Sequence, residues 1–230
     1  MIDVAGNWRR VCDQAASAAA RTRRDPLGVR IVAVSKTKPI ELIEQAIAAG
    51  AADIGENYVQ EAAEKIGRIR TPVTWHMIGH LQRNKAARAV ELFDVIHTLD
   101  SLPLAAALAR RGAERGKPVY VLIEVNMGGE MSKSGVAPAA VDELLAALAE
   151  EPWLLIDGLM TVPPPAASAE AVRPHFRALR ELRDRLRRNA AANAPLRELS
   201  MGMTDDFMVA IEEGATLVRV GRAIFGERTR

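Results

Sequence analysis

The chain predicts an α/β fold, a single (β/α)8 barrel of the TIM type with an extra N-terminal helix. Three observations carry that reading. Short apolar runs rich in β-branched residues recur along all 230 residues, stretches of helical apolar spacing separate them, and the runs number eight. Strands that alternate with helices argue a parallel sheet, because each parallel connection needs a crossover, and eight βα units close a barrel. An open doubly wound sheet is the competing architecture. No composition break or Gly/Ser linker divides residues 1–230, which therefore read as a single domain.

The elements follow in order. A helix over Val4–Arg23 precedes the first strand and would cover the barrel's floor or flank. The first strand, Ile31–Ser35, is a short β-branched run bounded by Gly28 and Pro39, and that proline suits the start of a helix over Ile40–Ala49. Further strands are predicted at Ala52–Gly55, Trp75–Gly79, Asp94–Leu99, Val119–Asn126, Leu155–Thr161, Leu196–Met201 and Thr216–Gly221. Helical spacing lies between them at Tyr58–Arg68, Leu81–Leu92, Leu102–Arg111, Ala139–Glu150, Ala169–Asn189 and Asp205–Glu213. Pro163-Pro164-Pro165 falls after the sixth strand and reads as a stiff βα loop rather than a boundary.

Hydrophobic residues at 49% and charged residues at 26% describe an ordinary soluble globular chain. A net charge of +2 does not argue for nucleic acid, and 4% aromatics supply a base-stacking platform poorly. The stretch Arg177–Arg188 interleaves Leu179, Leu182 and Leu186 with arginines. It reads as the solvated face of an outer helix, with an RNA- or lipid-binding face as the alternative. The one cysteine, Cys12, precludes an intramolecular disulfide and fits a reducing compartment. It sits in the first helix rather than at a strand end, where a nucleophile would be placed. The charged N-terminus lacks the apolar core of a secretory signal, and no stretch approaches the ~18 apolar residues of a membrane span. A cytoplasmic location is the expectation.

In a barrel the chemistry gathers at the carboxyl ends of the strands. Lys36, the first lysine in the chain, follows strand one at that end. An amine whose charge is destabilised by burial or a neighbouring cation becomes a nucleophile toward carbonyls, the plain alternative being a surface lysine in a βα turn. The other strand ends offer Glu56-Asn57, His76 through His80, His97, Glu124, Thr161, Ser200-Met201-Gly202 and Arg219-Val220-Gly221-Arg222. The last two suit phosphate. Barrels commonly bind it at loops seven and eight, glycines admit backbone N–H groups, and Gly221–Gly226 reads as a short helix whose N-terminus favours an anion. Thr204 suits the cap of the preceding helix, and Asp205 and Asp206 read as helix-start residues. His76 and His80 straddle a strand end and a loop, so no helical metal-binding face forms and no metal site is predicted. Ser200 lacks a nucleophile-elbow context. An amine beside a phosphate cradle describes a site for a phosphorylated aldehyde held as a Schiff base. Pyridoxal 5′-phosphate fits that description, and a class I aldolase substrate fits it less specifically.

The stretches Val34-Ser-Lys-Thr-Lys-Pro39, Gly55-Glu-Asn-Tyr-Val-Gln-Glu61, Trp75-His-Met-Ile-Gly-His-Leu-Gln-Arg-Asn-Lys85, Ser132-Lys-Ser-Gly135, Gly158-Leu-Met160, Leu199-Ser-Met-Gly-Met203 and Val218-Arg-Val-Gly-Arg-Ala-Ile-Phe-Gly226 span nearly the whole chain. In that order they resemble the pyridoxal phosphate homeostasis protein family, which shares the barrel of the alanine racemase N-terminal domain. The resemblance implies that Lys36 carries pyridoxal 5′-phosphate as an internal aldimine. It implies that Ser200, Gly202, Gly221 and the backbone of Arg222 hold the phosphate, that Arg219 faces the pyridine nitrogen, and that Asn57 and Met201 lie near the ring. A guanidinium has no acceptor and stays charged, so it disfavours a protonated ring nitrogen and weakens carbanion chemistry. The implied function is binding, protection and delivery of the cofactor without robust catalysis, with a small racemase-like enzyme as the alternative. A full racemase also needs a second domain and a second acid/base residue, for which a chain ending at Arg230 is expected to have no room. Cofactor-dependent apoenzymes are the implied recipients, and a monomer is the family expectation. Whether Lys38 or Lys133 serves a second cofactor site stays open. His80 and Arg83 depart from the proline and serine common in the family, a change expected in a loop rather than in the cofactor site.

Overall fold

Runs of β-branched and apolar residues that are buried on both faces become the eight strands. These are β1 (Arg30–Val34), β2 (Asp53–Glu56), β3 (Thr74–Met77), β4 (Val95–Leu99), β5 (Val119–Glu124), β6 (Leu154–Met160), β7 (Glu198–Ser200) and β8 (Leu217–Val220). Each pairs in parallel with the next, and β8 closes on β1, so the sheet is a TIM-type barrel in sequence order. The computed structural model describes residues 2–130 and 134–227. The helices are α1 (Val4–Arg21), α2 (Ile40–Ala48), α3 (Val59–Arg68), α4 (Ala86–Leu92), α5 (Leu102–Arg115), α6 (Val141–Ala147), α7 (Ala169–Arg187), α8 (Phe207–Glu212) and α9 (Arg222–Phe225).

Period-two alternation sorts side chains between two cores. Val32 lies in register with Asp53 on one side and Arg219 on the other, so these point inward together. Val32, Leu122, Met160 and Leu217 form a small buried cluster of their own inside the barrel. Ile31 and Ala33 point the other way and join the large core between sheet and helices. Helix α1 buries Val4, Trp8, Val11, Ala15 and Ala18, the i, i+4, i+7 spacing of one helical stripe. Asp3 caps it, its Oδ1 accepting from the Gly6 N–H at 2.8 Å. The helix packs on the barrel's flank against α2, α8 and α9, where Asn7 donates to the Ile224 carbonyl at 3.0 Å.

Several helix boundaries differ from the sequence reading, and three of them have a visible cause. Helix α4 begins at Ala86 instead of Leu81, because residues 78–82 form a loop after β3: the Ile78 N–H still donates to the Glu56 carbonyl, and a 3-10 turn over Arg83–Lys85 precedes the helix. Helix α5 continues through Gly112 to Arg115. A Cβ at Gly112 would sit 2.8 Å from the Trp153 carbonyl oxygen, so the glycine permits close packing instead of ending the helix. Helix α8 begins at Phe207 without a Thr204 cap, and Asp206 Oδ1 instead accepts from the Met203 N–H at 2.6 Å.

The arginine face of α7 is largely paired within the fold. Arg177 and Arg180 converge with Arg173 on the buried Glu213 carboxylate, and Arg185 pairs with Asp142. Those pairings occupy donors that an RNA-binding face would need. Among the described residues no helix is long and apolar enough to cross a membrane.

Candidate functional site

Lys36 stands two residues beyond β1, half-buried at the carboxyl end of the barrel. The turn that carries it is held from below. Lys65, on α3, is 5% exposed, and its ammonium donates to the Ser35 carbonyl at 2.7 Å and to Glu56 Oε1 and Glu61 Oε1 at 2.6 Å each. Glu56 Oε1 also accepts from the Ser35 hydroxyl at 2.5 Å, and Glu61 Oε1 from the Thr37 N–H at 2.5 Å. Thr37 has a positive φ of 62°, a strained position for a β-branched residue. Burial raises the pKa of Glu56, with the hydrogen bonds from Lys65 and Ser35 opposing that rise.

The adjoining wall of the mouth is built from β7, β8 and their loops. Gly202 has φ +92°, and a Cβ there would lie 2.5 Å from the Ala210 methyl. Gly221 precedes α9 and lies against the Val34 carbonyl beside the Lys36 turn. The Arg222 side chain pairs outward with Asp205 and Glu227, leaving its backbone N–H in the first turn of α9. Lys38 Nζ donates to the carbonyls of Gly226 and Glu227 at 2.9 and 2.7 Å, which joins the β1 loop to the end of α9. Lys133 lies outside the described residues, as does part of the Ser132–Gly135 stretch.

A polar chain runs through the barrel beneath these groups. Arg219, 4% exposed, donates to Ser200 Oγ at 2.6 Å and to the Thr161 carbonyl at 2.8 Å. Burial pulls its pKa down to about 10, opposed by Glu124 and Asp206, so the guanidinium stays charged at neutral pH. Ser200 Oγ meets His97 Nδ1 at 2.9 Å, His97 Nε2 meets His76 Nδ1 at 2.8 Å, and His76 Nε2 meets Asp53 Oδ1 at 2.8 Å. Arg30 completes the chain at the floor, bound to both Asp53 oxygens. Burial, reinforced by the field of His76, Arg219 and Arg30, drives the His97 pKa well down, so that ring is neutral. Burial opposes the Asp53 charge, but hydrogen bonds from His76 and Arg30 outweigh it and hold the pKa below the usual value.

The structure therefore gathers Lys36, Asn57, Gly202, Arg219, Gly221 and Arg222 at one end of the barrel. It engages the Ser200 hydroxyl with Arg219 and His97 inside the barrel, and it places the Met201 side chain in the core between sheet and helices. Three acceptors at the carboxyl ends of the strands are buried without a hydrogen-bond partner among the described residues, Glu56 Oε2, Asn57 Oδ1 and Glu124 Oε2. Burial, reinforced by Asp100, raises the Glu124 pKa. Sequence reasoning missed the Glu61–Lys65 pair and the link between His76 and His97. One signal was present: Lys65 continues the Val59–Ala62 stripe at i+3 spacing, so it occupies a buried helical position. No group of metal-binding residues occurs among those described.

Comparison with known proteins agrees with the barrel fold. Residues 12–229 match the family described as alanine racemase, N-terminal domain, so the barrel is of that class. The pyridoxal phosphate homeostasis protein of Escherichia coli (strain K12) is 42% identical over 232 residues, covering 99% of this chain and 98% of its own length. Within the racemase-domain class, the chain belongs to the pyridoxal phosphate homeostasis protein family. Among solved structures, an unknown protein from Bifidobacterium adolescentis superimposes with a TM-score of 0.89 at 36% identity, covering 96% of this chain and 94% of that one. PipY of Synechococcus elongatus PCC7942, with PLP bound, gives 0.81 at 36% identity, covering 94% and 100%.

Proposed function

We propose that this protein binds pyridoxal 5′-phosphate at the mouth of its barrel through Lys36 and serves to hold, protect and deliver that cofactor. The observation that carries the reading is the juxtaposition of the pinned Lys36 turn with the Gly202–Gly221 wall, in a chain 36% identical to a protein solved with PLP bound.

The residues fit such a ligand. Asn57 Oδ1, without a partner among the described residues, offers a hydrogen-bond acceptor near the Lys36 end, and Gly202 takes a φ of +92° in the wall proposed for the phosphate. Gly202, Gly221 and the Arg222 N–H supply main-chain access for an anion, and Ser200 contributes by holding Arg219. When bound, the cofactor supplies an aldehyde for the Lys36 amine and a ring that can act as an electron sink. Arg219, charged and lacking any acceptor, opposes a proton on a ring nitrogen placed beside it and so weakens that sink. Binding and transfer to cofactor-dependent apoenzymes then dominate over turnover.

The test compares wild type with Lys36→Ala. Each is loaded with pyridoxal 5′-phosphate, desalted, scanned for visible absorbance, reduced with borohydride and peptide-mapped. A band and a covalent adduct on Lys36 are expected in wild type, and neither in the variant. Rapid α-proton exchange of an added amino acid in deuterated water would show that the protein is an enzyme instead of a carrier.

A further inference from the structure

Two peptide planes meet at the Cα of Lys36, and both are tied to one ion pair on the neighbouring helix. The carbonyl of the Ser35–Lys36 peptide accepts from Lys65 Nζ at 2.7 Å. The N–H of the Lys36–Thr37 peptide donates to Glu61 Oε1 at 2.5 Å. Lys65 and Glu61 are themselves bound at 2.6 Å, one helical turn apart on α3. The first plane governs φ of Lys36 and the second governs ψ, so the pair fixes the direction in which the lysine leaves the backbone. We propose that Glu61 and Lys65 are positioning residues for Lys36, a clamp that fixes the trajectory of its amine toward an incoming aldehyde. The inference rests on the reading of Lys36 as the cofactor lysine.

Three further observations bear on it. Thr37 is held at φ 62°, which a β-branched residue adopts only where surrounding contacts over-determine it. Lys65 is nearly fully buried, and its ammonium has three oxygen partners, Glu56 being the third. A lysine recruited only to cover the sheet could extend its head to solvent, whereas this one directs it under the turn. Glu56 in turn accepts from the Ser35 hydroxyl, so β1 and β2 are joined at the same node.

Substitution of Lys65 would leave two carboxylates beneath the turn and risk the fold, so the experiment uses Glu61, which is partly exposed. Wild type, Glu61→Ala and Glu61→Gln are compared in the full chain. Hydrogen exchange at the Thr37 amide is measured without cofactor. The rate of adduct formation at Lys36 is then measured with pyridoxal 5′-phosphate as the probe, by borohydride quenching and peptide mapping. Glu61→Ala is expected to speed Thr37 exchange by about tenfold, the worth of one charge-assisted hydrogen bond, and to slow trapping several-fold. Glu61→Gln retains an Oε1 acceptor and is expected to restore both readouts, which a role in general stability would not require. Unchanged exchange and trapping in Glu61→Ala would overturn the clamp, as would equal losses in both variants. If wild type forms no adduct, the cofactor reading fails on its own, and the exchange arm still decides whether the pair pins the turn.

Discussion

The two sides of the barrel mouth are held by opposite means. Beneath Lys36 the backbone is fixed by buried charge, with Lys65 bound to Glu56, Glu61 and the Ser35 carbonyl. Beside it, after β7 and β8, the wall is shaped by what side chains leave out, with glycines at 202 and 221 packed against Ala210 and Val34. Under the function proposed above, the difference follows from the task of each side. A reactive amine needs a trajectory that cannot drift, which calls for strong, directional partners. An anion cradle needs main-chain N–H groups within reach, which calls for the removal of Cβ atoms.

Lys65→Met attacks the charged side and is expected to have the largest effect, a destabilisation of about 3–5 kcal/mol at neutral pH, because it strands two carboxylates beside a buried turn. The sign with pH is fixed by Glu56. Its pKa is already raised by burial above 4.5 and rises further without the ammonium, so the deficit should shrink as pH falls toward 4.5. Urea unfolding at pH 7.5 and 4.5 checks this, and a pH-independent deficit would refute it. Gly202→Ala attacks the other side, where a methyl must be fitted 2.5 Å from Ala210 at φ +92°. A loss of about 2–3 kcal/mol is expected from strain and overpacking, equal at both pH values. A pH-dependent loss there would erase the contrast between the two walls.

His97→Asn sharpens the comparison by testing the neutral polar chain between them. In the fold His97 stays uncharged, while in the unfolded chain it takes up a proton near pH 6.5. The unfolded state then binds more protons, so stability is lost as pH falls through that value. Between pH 7.5 and 5.5 wild type should lose about 1.4 kcal/mol more than the variant. Parallel curves would show that His97 is protonated in the fold.

The barrel was legible because β-branched runs and the apolar stripes between them depend on local sequence, and Lys36 and Gly202 stood out at strand ends for the same reason. What could not be read was whatever depends on register. His76 and His97 each looked like an isolated strand-end residue, and their 2.8 Å contact exists only because adjacent strands set them diagonally, His97 lying two residues beyond the register partner of His76. Ser200 sat where a phosphate ligand is expected, and its rotation toward Arg219 is set by a residue 19 positions away. Lys65 was hidden by its charge, since partners on β2 and in the β1 loop decide whether a lysine can be buried.

The chain of groups from Asp53 to Arg219 has one further property. Asp53, held ionised, can only accept, so His76 must present its Nε2 hydrogen to it. His97, held neutral, carries a single ring hydrogen, so it donates through one nitrogen and accepts through the other, toward His76 Nδ1 on one side and the Ser200 hydroxyl on the other. A guanidinium has no acceptor, so the serine proton is turned away from Arg219 and the Ser200 lone pairs face the group that donates to them. One ionised carboxylate at the amino ends of the strands is thus linked, through two rings and one hydroxyl, to the guanidinium at the other end of the chain.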